Sequence, residues 1–485
     1  MRKIQYIFIV LLSVVAVSCH GDLNVEQKSE FTSASMWKSE SDAVSAVNGV
    51  YSQLRVALAT SLPVYGDYRT SLYGGGMMSN KDYDKMSANV ITKDMEGTDW
   101  NSIYTTINSC NLILKYTPNI TFNSEKTKNE VLANAYFARA YCYFLIARVW
   151  GDAPVLTNGF ESDKQEDLYP VRESAANVYA LVESDIKNAL SLATTSMTSK
   201  KKASYASVNM LAADYYLWKA KRLGGGNEAL TSAKAAVDNV LGAAGYGLED
   251  SFANIFGVEN EGSKEIIFSI NYERDEYTGG YPSMYLAPEQ YVENKELVNN
   301  PVPIGSHQQY VSITDEYEAF LSSDPADSRK DVSFGVCQDG STRWRWINKY
   351  KGEWINETRY FSSDIIMYRF AEAILMKAEI ENALGNSPAA QVELLKIEKR
   401  AYGTQTRYVG AMSKDAIDNA IIDETLKEFV GEAKSWWTIV RFGQAFTRIA
   451  SLQGRENEKN ILLWPVSSSC INTNPNIEQT EGYDK

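Results

Sequence analysis

A helical spacing of apolar residues, recurring in neighbouring blocks, constrains this chain more than any other feature. Residues 41 to 58 place Val44, Val47, Tyr51, Leu54 and Leu58 three or four positions apart, on one face of a helix. Ser39 stands where an N-cap belongs, and Asp42 three residues on completes a capping box. The same period carries Trp100, Ile103, Tyr104, Ile107 and Leu114, and then residues 130 to 149, closed by Gly151 and Pro154. Residues 174 to 193 follow, and 204 to 222 and 227 to 241 make a pair joined by Gly224-Gly225-Gly226. Alanines 133, 135, 138 and 140 let helices approach closely. Helical spacing resumes at 364 to 384, 387 to 400, 413 to 430 and 434 to 450. Short-linked helix pairs that cannot bury their faces alone stack on one another. The expectation is an all-α, tetratricopeptide-like helix-pair solenoid, although no clean repeat of about 34 residues marks it.

Two stretches break the pattern. Residues 61 to 98 carry Pro63, Gly66, Gly74, Gly75 and Gly76 among many tyrosines and read as one long loop. From 245 to 362 the chain is rich in Gly, Pro, Tyr and Trp, with a short strand at Glu265 to Ile270. It reads as a loop-rich inserted subdomain containing short strands. The expected division is a leader at 1–18, an extended arm at 19–38, a helical scaffold at 39–244, the insertion at 245–362, and C-terminal helices and tail at 363–485.

The leader has Arg2 and Lys3, then an apolar run from Ile7 to Val17 too short to span a bilayer. Ala16-Val17-Ser18-Cys19 resembles a bacterial lipobox, with Ala16 where Leu is usual. Cleavage before Cys19 would leave its thiol to take the lipid. No later stretch reaches the ~18 apolar residues of a membrane helix, so acyl chains would tether an otherwise soluble protein. Cys110 and Cys142 sit in apolar helical patterns and read as buried free thiols. With Cys337 and Cys470 they allow three disulfide pairings among which sequence does not choose.

The net charge of −13 repels phosphate backbones and excludes nucleic acid as a natural partner. Two histidines, His20 and His307, are too few for a histidine metal site or a convincing triad. The glycine runs lack the strand and Lys-Ser or Lys-Thr of a phosphate cradle. Acidic pairs could serve a glycosidase, but 61 acids make pairs by chance certain. No catalytic residue, metal or cofactor is assigned, and a glycan hydrolase stays the lesser alternative.

The 30 Tyr, 16 Phe and 10 Trp suit binding better. A sugar ring offers a C–H face to aromatic rings and a hydroxyl rim to Asp, Asn, Gln and Arg. One candidate cluster runs from Tyr65 through Asp67, Tyr68 and Arg69 to Tyr73. A second holds Tyr272, Tyr277, Tyr281, Tyr285 and Tyr291. The third holds Trp344, Trp346 and Trp354. Trp344 and Trp346 alternate with Arg343 and Arg345, which also describes a half-buried strand. An exposed aromatic patch could equally dock on a protein.

Several motifs in order resemble the SusD/RagB family of outer-membrane lipoproteins. They are Ser41-Asp42-Ala43 to Val50-Tyr51, Trp100 to Tyr104 with Asn111, and Ala135 to Tyr141 running into Trp150-Gly151-Asp152-Ala153-Pro154. Glu265 to Phe268, Met367 to Glu372 with Ala378-Glu379, and Asn474-Pro475 to Gly482-Tyr483 complete the series. The resemblance implies about four helix pairs cradling an irregular cap. It also implies a lipid-anchored place on the outer-membrane surface and a SusC-like TonB-dependent transporter as partner. The ligand would be an oligosaccharide or, in some relatives, a peptide. Glu424-Thr425, Glu432-Ala433 and Thr438 before Arg441 depart from the family pattern, which implies local rewiring of ion pairs and no change of fold.

Overall fold

The computed structural model describes residues 36–77, 81–163, 165–276, 282–288, 304–305, 309–350, 352–356 and 358–484. Cys19, Tyr277, Tyr281, Tyr291 and His307 lie outside the described residues. The long helices are α1 (Glu40–Leu58), α2 (Asn101–Tyr116), α3 (Glu125–Trp150), α4 (Ala175–Leu192), α5 (Tyr205–Arg222), α6 (Gly226–Leu241), α7 (Phe370–Ala383), α8 (Ser387–Tyr402) and α9 (Lys414–Glu428), followed by the shorter α10 (Ser435–Arg441).

Local chemistry sets their ends. Ser39 and Asp42 form the capping box of α1, and Ser124, Ser174 and Ser204 each accept a backbone N–H at the starts of α3, α4 and α5. The α3 helix stops at Gly151, whose φ of 74° a side chain would resist. From Phe137 onward α3 is buried on every side, so it is the central post against which α2 and α4 pack. Helix α1 packs on α2, α3 on α4, α5 on α6 and α7 on α8; α2–α3, α4–α5 and α6–α7 contacts stack the pairs in order. This is the expected helix-pair solenoid.

Three elements differ from expectation. Residues 365–369 are not helical: Ile365–Arg369 is a strand antiparallel to Ile266–Ile270, and α7 begins only at Phe370. Both strands are buried throughout, so neither shows the alternation that separates strand from helix. The helix expected over 434–450 ends at Arg441, turns at Gly443 (φ 72°), and resumes as a single turn at Ala445–Arg448. Residues 61–98 are not one long loop. They form the helix Ser61–Gly66, a 3-10 turn at Tyr68–Thr70, the strand Tyr73–Gly75 and the helix Lys81–Ser87. That strand pairs with Val311–Ile313 of the insertion.

The insertion contains further two-stranded pairs, including the hairpin Phe334–Asp339 with Thr342–Ile347. One buried apolar core runs from Leu54 through Ile267, Tyr317 and Ile347 to Ile477, so the insertion shares the scaffold's interior. A buried ionic cluster adds a second tie. Arg369, fully buried, donates to Glu265 (2.8 Å), Glu428 (2.5 Å) and Glu432 (2.8 Å). Arg329 of the insertion meets Asp327, Glu424 and Glu428, and Lys349 meets Glu432. Burial alone would lower the Arg369 pKa, but Glu432, Glu428 and Glu265 outweigh it and hold the guanidinium charged. Cys110, Cys142, Cys337 and Cys470 are free thiols, the first two buried as expected.

Candidate ligand-binding face

The first sequence cluster is built into the scaffold. Asp67, Tyr68, Arg69 and Tyr73 are 0%, 2%, 0% and 0% exposed. The Asp67 carboxylate accepts the backbone N–H of Ala433 (2.9 Å) and of Ser435 (3.3 Å), capping the approach to α10. Arg69 donates to Asn89 and to the carbonyls of Ile461, Leu462 and Leu463, with its guanidinium 4.4 Å from the Trp436 ring centre. The Tyr73 hydroxyl accepts the Gly431 N–H at 2.8 Å. Gly66 lets this segment close on the C-terminal part, since a Cβ there would stand 2.1 Å from the Ala433 carbonyl oxygen. The polar groups of Asp67, Arg69 and Tyr73 therefore meet the protein's own backbone, and with Tyr68 these residues have almost no surface to offer.

Trp344 and Trp346 are 5% and 6% exposed and pack with Leu286, Ala287 and Phe361 in a small core of their own. Gly335 lies opposite Trp346, where an added Cβ would come within 2.1 Å of the indole. Arg343 and Arg345 project to the other face and pair with Glu318. The half-buried strand accounts for this cluster, and ligand contact at the two indole faces does not fit their burial. Tyr272 and Tyr285 are also buried.

The structure brings together an aromatic pair that no sequence pattern marks. Tyr83, on the helix Lys81–Ser87, stacks on Tyr310 with ring centres 5.4 Å apart and planes 10° from parallel. Its hydroxyl donates to Glu96, and its ring stands edge-on to Tyr68 at 5.7 Å. Burial pushes the Tyr83 pKa up, so the phenol stays a neutral donor. Tyr310 is half-buried and held by its backbone: its carbonyl accepts the Gly76 N–H at 2.8 Å, where the Tyr73–Gly75 and Val311–Ile313 strands end. Beside it Met77 is 37% exposed. This seam between the 61–98 segment and the insertion offers an aromatic platform with a carboxylate at its rim. Among 30 tyrosines, neither Tyr83 nor Tyr310 carries a sequence signal that marks it.

The residues that make the family resemblance legible have structural partners. Arg139 forms a two-pronged pair with Asp185 (2.7 Å for each bond) and also reaches Asn111, which donates to the carbonyls of Leu156 and Asn158. Asp152 caps α4 through the Ala175 N–H. Arg172 ties the carbonyls of Trp150 and Asp152 to Glu478 and Thr480 of the tail. At the departures from the family pattern, Glu424 and Glu432 keep ion pairs with Arg329 and Arg369, and Arg441 pairs with Glu379. Among the described residues no helix is long and apolar enough to cross a membrane.

Comparison with known proteins agrees with this architecture. A SusD-like family model, described as starch-binding and associating with the outer membrane, matches residues 26–217. The SusD family model matches residues 328–483. SusD-like protein P38 of Formosa agariphila is 27% identical, with 99% of each chain covered. The starch-binding protein SusD of Bacteroides thetaiotaomicron is 29% identical over 153 residues, 30% of this chain and 26% of that protein. Among solved structures, a SusD superfamily protein from Bacteroides vulgatus superposes with a TM-score of 0.82 at 26% identity, covering 92% of this chain and 100% of that one. NanU of B. fragilis gives 0.83 at 24% identity, over 95% and 100%. Motifs, fold and relatives agree: the chain belongs to the SusD/RagB family.

Proposed function

We propose that this protein is a surface lipoprotein that captures oligosaccharides and passes them, without cleaving them, to a SusC-like TonB-dependent transporter. Family membership, and the family model's description as starch-binding and associating with the outer membrane, support the setting. The lipid would attach at Cys19. The Tyr83–Tyr310 stack with Glu96 at its edge carries the ligand assignment. The half-buried Tyr310 ring would meet the C–H face of a sugar, Tyr83 would support it from behind, and Glu96 would accept hydroxyl protons. Tyr277 and Tyr281 stay as further candidates on sequence grounds.

The test is calorimetric titration against panels of oligosaccharides and peptides, with product analysis of every hit. The expected outcome is saccharide binding without turnover, weakened by Tyr310→Ala by roughly 1–3 kcal/mol, as truncating a central aromatic contact does. Unchanged affinity in that variant would move the site elsewhere. Peptide binding in place of saccharide would change the ligand class, and product formation would overturn the non-catalytic reading.

A further inference from the structure

A cavity of about 290 Å³ lies between α1, the Lys201-Lys202 turn and the end of the Ile266–Ile270 strand, apart from the Tyr83–Tyr310 face. Its walls carry three cations, Arg55, Lys201 and Lys202, and one carboxylate, Glu276. That is unusual on a chain whose net charge is −13. Two of the cations have carboxylates already. Lys201 is 3.1 Å from Glu261 and 3.4 Å from Asp364. Arg55, whose side chain is 8% exposed, is 2.8 Å from Glu276 and also donates to the Asn271 carbonyl and the Ser52 hydroxyl; the Glu276 side chain is 58% exposed, so the pair opens to solvent on its carboxylate side. Lys202 differs: its ammonium is steadied by the Asn48 side-chain oxygen and has no carboxylate partner among the described residues. The wall also holds a buried acceptor, Asn271 Oδ1, that no donor meets. Leu54 and Ile270 supply an apolar surface.

We propose that this cavity binds a single acidic sugar ring, of the uronic acid class. Its carboxylate would lie against Lys202 and share Arg55 with Glu276. A ring hydroxyl would donate to Asn271 Oδ1, satisfying an acceptor whose isolation costs stability. The C–H face would rest on Leu54 and Ile270. The volume is at the small end of ligand pockets, which fits one ring and not an extended chain.

The test uses the full chain in detergent, titrated with sodium glucuronate, glucose and sodium sulfate. Glucuronate is expected to bind at least ~10-fold more tightly than either control, and Lys202→Met to weaken it roughly 10-fold, the loss of one charge-assisted hydrogen bond. Tyr310→Ala should leave glucuronate binding intact, which separates this cavity from the stacked face. The proposal is overturned if glucuronate and glucose bind alike or neither binds. It is equally overturned if sulfate matches glucuronate, if Lys202→Met changes nothing, or if Tyr310→Ala abolishes the binding.

Discussion

Asp67 shows what residue type alone conceals. A carboxylate beside Tyr and Arg reads as a sugar-binding rim, yet here it sits out of water between two backbone donors. Burial lifts its pKa from the usual 3.8 to about 6, and the Ser435 and Ala433 hydrogen bonds offset this only in part. The folded state therefore holds a proton that the unfolded chain releases earlier. That contribution to stability is full below about pH 4 and is lost as pH rises through about 6. Asp67→Asn cannot ionise and lacks this component. Urea unfolding from pH 4 to 7 should show the variant gaining on the wild type by roughly 2–3 kcal/mol across the window. A pH-independent difference would count against ionisation at this site. Tyr83 and Tyr310 teach the converse: isolated tyrosines 227 positions apart become a pair only when two strands bring them together.

At the scale of elements, period and caps were legible and partnership was not. Glu40–Leu58 could be read to within a residue because Ser39, Asp42 and the apolar stripe agree. Ile365–Arg369 reads as helix in the sequence because five buried residues show no alternation, and only its partner Ile266–Ile270 makes it a strand. The 61–98 segment reads as a loop because glycines and a proline punctuate it. Gly66 in fact marks a close approach to Ala433. The Trp344 and Trp346 alternation was legible, and the hairpin realises it as burial against Leu286 and Phe361. Two glycines make this testable. Gly335→Val should displace the Trp346 ring, cost about 1–3 kcal/mol and alter tryptophan fluorescence. Gly49→Ala, exposed within α1 with nothing inside 4 Å of the new Cβ, should stabilise by roughly 0.5–1 kcal/mol. The reverse ordering of the two melting temperatures would contradict the packing described.

Across the whole molecule, the solenoid and the insertion share one core and one ionic cluster, so they should unfold together. Arg369→Met strands Glu265, Glu428 and Glu432 without their common cation and is expected to cost about 3–5 kcal/mol. Far-ultraviolet dichroism and tryptophan fluorescence should trace coincident transitions in the wild type. Separate midpoints would mean that the insertion folds by itself. The seam formed by Asp67, Arg69 and Tyr73 bears on how the chain is made. Arg69 waits for a carbonyl 392 positions further on, and Asp67 for an amide 366 positions further on. Such distant partners demand their loop-closure entropy before they return any contact. During synthesis the first helices can form locally, but their seam with the last ones stays open until residues 433 to 463 have emerged. A chain that closes this late stays threadable until those residues arrive.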